Sequence, residues 1–160
     1  MAQPTKQELK QELALALTEE LETVERAHKA TLAAATHEEA KPENDKDTRA
    51  LEQSYLARGQ ALRATELRAA VADVTAMPLR AFGEDAPAAL GALVEASEDE
   101  ERRLFFIAPH GGGARLANGT VQVVTPEAPL GRALLGKRVG DECEVKLAGK
   151  TRTLAIERIE

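Results

Sequence analysis

Between His37 and Asp47 the chain sets Glu38, Glu39, Glu43, Asp45 and Asp47 against only Lys41 and Lys46. Carboxylates at that density are hard oxygen ligands of the kind Mg²⁺ prefers, and Mg²⁺ keeps several waters while taking only one or two carboxylates from a protein. The plainer reading is a solvated turn, because acids are favoured near helix N-termini and charge runs usually mark solvated faces. Asp45 or Asp47 would then be the N-cap of a following helix. Other residue types carry less. His28, His37 and His110 have no metal-ligand spacing between them. Gly111-Gly112-Gly113 is not followed by the GK[ST] of a phosphate loop and reads as a flexible connection. Cys143 falls on an alternating strand pattern, where a buried structural thiol is the default. No Ser-His-Asp or Cys-His arrangement emerges.

The elements that would position the acidic run are helical. Leu9, Leu13, Leu17, Leu21, Val24, His28 and Thr31 recur at steps of three and four, continuing as Ala34 and Ala35, and so share one stripe of a helix from Thr5 to about Glu39. At ~1.5 Å per residue such a helix is roughly 50 Å long, a length typical of coiled coils. Pro42 interrupts it. A second helix follows, with Leu51, Tyr55, Leu62 and Ala69 marking its apolar side, Leu56 and Leu67 beside them, and Gly59 weakening its middle. A short connection between long amphipathic helices makes them antiparallel neighbours. Residues 1–76 therefore read as an antiparallel coiled-coil hairpin with an acidic tip at 37–47.

After Met77-Pro78 the pattern changes, and 77–160 read as a second domain. Ala89 to Glu95, Arg102 to Ala108, Val121 to Val124, Glu142 to Leu147 and Thr151 to Ile159 are short β-rich runs between turn signals such as Asn118-Gly119 and Gly140-Asp141. Pro129 to Leu135 makes one or two helical turns closed by Gly136. The expected fold class is α+β, a helical hairpin followed by a small antiparallel sheet with one short helix. Aromatics are only 2% of the 160 residues, which favours two modest cores over one large one.

Charge and composition exclude several classes. A net charge of −6 argues against a free-standing nucleic-acid binder, which needs a basic footprint. The single cysteine suits a reducing compartment, and the start lacks the basic-then-apolar pattern of a signal peptide, so a cytoplasmic location is expected. A coil lined by so much alanine buries little apolar area, so a monomer is expected.

The ordered segment from Val124 to Asp141, Val-Thr-Pro-Glu-Ala-Pro-Leu-Gly-Arg-Ala-Leu-Leu-Gly-Lys-Arg-Val-Gly-Asp, resembles the C-terminal signature of the GreA/GreB transcript-cleavage factors. In that family a Ser-Pro-Leu/Ile segment leads into Ala-Leu-Leu/Ile-Gly-Lys, then Gly-Asp and a β-hairpin. The resemblance implies an FKBP-like C-terminal domain without prolyl isomerase activity, and it agrees with a coiled coil ahead of it. Glu43-Asn44 sits where the family shows a Glu-Asn pair, and the following Asp47 to Arg58 segment looks like a Gre-related subgroup.

By resemblance, the partner is RNA polymerase, with nascent RNA met only inside that complex. The C-terminal domain would dock at the rim of the secondary channel through Thr125, Pro126, Pro129, Leu130, Arg132 and Lys137. The coil would enter the channel, and Glu43, with Asp45 or Glu39 as auxiliary, would help hold the Mg²⁺ of the polymerase active site. The chain would thus be an accessory factor to the polymerase's own hydrolysis of backtracked RNA, with no cofactor of its own. One position departs: the family's aspartate three residues before the Glu of the pair is Ala40 here. Two alternatives follow, a channel-occupying regulator that does not promote cleavage, and an FKBP-like coiled-coil adaptor for another partner.

Overall fold

Thr5 starts the first helix. Its hydroxyl accepts the Glu8 backbone N–H at 3.1 Å, and the Glu8 carboxylate accepts the Thr5 N–H at 2.8 Å, a reciprocal cap for donors that a helix start leaves open. The computed structural model describes the backbone at residues 2–39 and 46–160 and side chains at 2–36 and 48–160. Helix α1 runs Lys6–Glu39 and α2 runs Lys46–Ala76, matching the two helices expected. The α1 stripe is where periodicity puts it. Leu9, Leu13 and Leu17 are buried, while Leu21, Val24, His28 and Thr31 are half-buried; Ala34 is exposed and only Ala35 stays on the packed side.

The face of α2 differs from the expected one. Leu51, Tyr55 and Leu62 are 55%, 62% and 61% exposed, and Leu56 and Ala69 are exposed too. The packed series is Gln53, Ala57, Gln60, Ala64, Leu67, Ala70 and Val74, again at steps of three and four. Alanines let the two backbones come close, and that spacing outranks the larger side chains placed elsewhere on the circumference. The cost is polar: the Oε1 atoms of Gln53 and Gln60 and Nδ1 of His28 are buried without a hydrogen-bond partner. Arg63 with Glu20 at 2.6 Å and Arg68 with Glu25 at 3.9 Å link the helices across exposed surface, where such pairs add little.

The second half forms one six-stranded sheet from β1 (Leu93–Glu98), β2 (Glu101–Ile107), β3 (Arg115–Leu116), β4 (Val121–Val124), β5 (Glu142–Leu147) and β6 (Lys150–Ile159). Strand order is β3-β4-β2-β1-β6-β5. The sheet is mostly antiparallel, as expected, with one correction: β2 and β4 are parallel, Phe105 pairing Gln122 and Ile107 pairing Val124. The chain reverses twice between them, in the glycine-rich turn ahead of β3 and at the Ala117-Asn118-Gly119 turn after it, and re-enters in the original direction. The first strand also starts later than its sequence suggests, because Ala89 to Ala92 form a turn closed by Ala92 N–H to Ala89 O at 3.0 Å.

One face of the sheet carries the main core: Val94, Ala96, Phe105, Ile107, Val145, Leu154 and Ile156, closed by Leu130 and Leu134 of α3 (Pro129–Leu134). The other face presents Leu93, Phe106, Val121 and Val123, all buried. The sheet unit also takes in residues 1–14 and 72–76, while 15–71 form a second unit. Leu9 and Leu13 are fully buried there. The Glu12 carboxylate accepts the Ala117 N–H through both oxygens at 3.1 and 3.0 Å, and Asp73 meets His110 Nε2 at 2.7 Å. Gly111 has φ +86°, and a Cβ there would lie 2.6 Å from Leu13 Cδ1. Gly111 and Gly112 are therefore close-packed in a turn, where composition alone suggests a flexible connection, while Gly113 has open space beside it. Among the described residues, no helix is long and apolar enough to cross a membrane.

Candidate functional site

The segment from Thr125 to Asp141 is a short helix held on three sides by backbone. Pro129 fits the first helical turn, where its missing N–H costs nothing, and Ala128 before it is extended at φ −74°, ψ 151°. Ala128 N–H reaches Thr125 O at 3.2 Å and Arg132 N–H reaches Ala128 O at 2.9 Å, so the turn leaving β4 runs straight into α3. Gly131 is the tightest point: a Cβ there would fall 1.8 Å from Thr125 O. Only glycine lets the helix lie against its own entry turn. Leu130 and Leu134 insert into the core, and Gly136, at φ +80°, ends the helix by donating its N–H to Ala88 O at 2.8 Å. Ala88 N–H returns to Lys137 O at 2.8 Å. The Asp141 carboxylate accepts the Arg138 N–H at 2.8 Å and fixes the Gly140-Asp141 turn into β5.

Of the six expected docking residues, Pro129 and Arg132 are exposed and Thr125, Pro126 and Lys137 are half-buried. Leu130 is the exception. At 5% exposure its side chain belongs to the core, because the first turn of α3 points it at the sheet; it supports this surface from beneath. Two exposed apolar residues were not singled out from the sequence: Val139, 46% exposed, within the segment, and Leu90, 43% exposed, on the neighbouring stretch of chain joined to it by the Ala88–Lys137 bonds. Apolar side chains within turn segments were the available signal. Cys143 sits under this region in the core, where burial pushes its thiol up and Lys137 partly opposes that.

Of the tip residues, Glu43 and Asp45 lie outside the described residues, as do Ala40 and the side chain of Glu39, whose backbone ends α1. Asp47 is not the N-cap expected of it: α2 begins at Lys46, so Asp47 lies within the first helical turn. Among the described residues, no group of three or more His, Cys, Asp or Glu side chains could hold a metal ion; His28 lies on the α1 stripe and His110 is engaged with Asp73.

Comparison with known proteins agrees with this segment. Residues 88–160 match the family model described as transcription elongation factor, GreA/GreB, C-terminal. A transcription elongation factor GreA from Nautilia profundicola is 34% identical over 67 residues, covering 42% of this chain and 38% of that protein. The chain thus matches well under half the length of that curated relative. Among solved structures, the GreA factor homolog 1 (Gfh1) protein of Thermus thermophilus is similar at TM-score 0.41 and 16% identity, covering 92% of this chain and 94% of the other. A GreA/GreB factor from Nitrosomonas europaea is similar at TM-score 0.38 and 16% identity, covering 68% of this chain and 90% of the other.

Proposed function

We propose, from the match of residues 88–160 to the GreA/GreB C-terminal family model, that this protein is a transcription elongation factor that binds RNA polymerase and promotes hydrolysis of backtracked RNA by the polymerase's own centre. The observation that supports it is the α3 cradle: the whole signature from Thr125 to Asp141 folds into one braced surface element that presents Pro129 and Arg132. In this reading the helical hairpin enters the secondary channel. Carboxylate oxygens are the donors that Mg²⁺ selects, so Glu43, with Asp45 or Glu39, fits a shared ion of the polymerase site. Held there by these carboxylates, the ion would supply activation of a water nucleophile and stabilisation of the leaving oxygen in phosphodiester hydrolysis. The chain's own part is binding, insertion and orientation of those carboxylates.

The test is 3′-RNA cleavage in a stalled, backtracked elongation complex with wild-type protein, Glu43→Ala or no factor. Faster cleavage that depends on Glu43 is expected. Equal cleavage by Glu43→Ala would remove the tip from the mechanism. A second reading rests on Ala40, which replaces the family's tip aspartate. Carboxylate placement in metal catalysis is strict, an error near 1 Å costing about 100-fold. A factor with the same docking and a displaced carboxylate would fill the channel and slow nucleotide addition. It would lower RNA output without shortening backtracked transcripts.

A further inference from the structure

Helix α2 buries its small side chains and exposes its large ones. Opposite the packed series that includes Gln60 and Ala64, the outward side carries Leu51, Tyr55 and Leu62, 55%, 62% and 61% exposed, with Arg58 exposed among them. Single surface leucines are ordinary, but these side chains share one stripe, at steps of four, three and four from Leu51 through Tyr55 and Arg58 to Leu62. Gly59 lies beside the stripe. It is in mid-helix without a positive φ, and a Cβ there would meet nothing within 4 Å. Neither backbone conformation nor packing among the described residues calls for a glycine that weakens the helix.

The stripe has the same spacing from either end. Laid against a second copy running the other way, Leu51 falls opposite Leu62 and Tyr55 opposite Arg58, and each pair occurs twice, as a two-fold interface requires. Tyr55 then offers its ring face to a guanidinium. Tyr55 and Gly59 are four residues apart and so lie on the same side of the stripe, and the two-fold axis brings like sides together. Each tyrosine ring thus comes over the other copy's Gly59, where the missing side chain leaves room for it. A parallel pair has no such fit: like residues meet, and the two Arg58 charges oppose each other.

We propose that the outward stripe of α2 from Leu51 to Leu62 is the contact for a second copy of this chain, the two helices paired antiparallel about a two-fold axis between Tyr55 and Arg58. The alanine-lined face, which gives the chain no reason to self-associate, is the inward one. Three large side chains on each copy, with Arg58 and the bare Gly59 backbone, bury roughly 1,000 Å² over both copies, at the threshold for a specific interface. Pairing is therefore weak, with monomer at low micromolar concentration and dimer at high micromolar concentration. A lipid surface fits the stripe less well, because Glu52 and Glu66 border it where an interfacial helix carries cations. The pairing does not rest on the polymerase reading, and its test contains no polymerase.

The test is sedimentation equilibrium of the full chain from low to high micromolar concentration. Wild type should pass from monomer to dimer. Tyr55→Ala should weaken pairing by at least about tenfold, since the loss is suffered twice. Gly59→Gln should weaken it as much while raising the melting temperature of the dilute protein, because glutamine is the better helix former; misfolding cannot produce both changes. Leu15→Gln, equally exposed but on α1, should leave pairing unchanged. Register is read by brief oxidation: Leu51→Cys mixed with Leu62→Cys should cross-link, and neither variant should do so with itself. Wild type, whose Cys143 is buried, is the blank. A monomer at every concentration, including one that instead binds anionic vesicles through Tyr55, would overturn the proposal. So would pairing indifferent to Tyr55→Ala or Gly59→Gln, or Leu51→Cys cross-linking to itself as readily as to Leu62→Cys.

Discussion

Gly131→Ala asks the largest question of the α3 cradle with the smallest chemical change. The new Cβ would stand 1.8 Å from Thr125 O, where real carbon–oxygen contacts stay beyond 3 Å. The obstacle is a backbone carbonyl in the turn that leaves β4, so no side-chain rotation relieves it. Either α3 lifts, withdrawing Leu130 and Leu134 from the core, or the Thr125-Pro126 turn moves and breaks the Ala128–Thr125 bond. Overpacking in a core costs typically 1–3 kcal/mol, and an immovable partner places this variant at or above the top of that range, about 3 kcal/mol. Gly136→Ala is the matched control: φ is +80° but nothing lies within 4 Å of the added carbon, so it carries only the left-handed backbone penalty of about 1 kcal/mol. The single cysteine supplies an assay confined to this unit. Cys143 is buried in the core that α3 closes, so thiol labelling against urea reports its opening while the hairpin contributes nothing. The labelling midpoint should fall well below wild type for Gly131→Ala and modestly for Gly136→Ala. Equal midpoints for Gly131→Ala and wild type would refute the close approach at Thr125.

Gln53→Leu and Gln60→Leu should each stabilise the helical unit by about 1 kcal/mol, because they remove buried oxygens that lack partners; Leu62→Gln, on exposed surface, should be near neutral in the same melts followed at 222 nm. The Glu98 carboxyl is held low chiefly by its bonds to Arg152, so its contribution is complete above the unfolded carboxyl range, near pH 4.3, and is lost as pH falls through the folded value. Acidification from pH 7 to pH 3 should therefore cost wild type more stability than Glu98→Gln, read from urea midpoints. Thr5→Ala removes the hydroxyl half of the α1 cap and should cost roughly 1 kcal/mol in the Cys143 labelling assay, since residues 1–14 belong to the sheet unit. A loss seen only in the helical melt would place that cap with the wrong unit.

How far the sequence could be read followed how locally each feature is encoded. The α1 stripe was legible because its leucines repeat every three or four residues and the same residues are buried. The α2 face was not, because its packed positions are alanines and glutamines while Leu51, Tyr55 and Leu62 point outward; apolarity is a poor guide where two backbones pack closely. Strands β5 and β6 were readable from alternation and turn signals. The parallel pairing of β2 with β4 was not, since nothing in either run specifies its neighbour, and β3 is too short to show a period. The signature around Gly131 carried the resemblance before its geometry was visible, but the reason for that glycine, a carbonyl where a Cβ would stand, exists only in the folded chain.

The position of β6 has a consequence for how the protein comes into being. It is synthesised after the other five strands, yet it lies between β1 and β5, inside the sheet. Until it leaves the ribosome, β1 keeps one bare edge and β5 has no neighbour at all, while Leu9 and Leu13, made long before, wait for the surface that will bury them. Chain growth proceeds at about 5–20 residues per second, so these segments spend seconds with open pairing edges. The sheet unit closes in one late step, and its most hazardous interval for aggregation falls before β6 emerges.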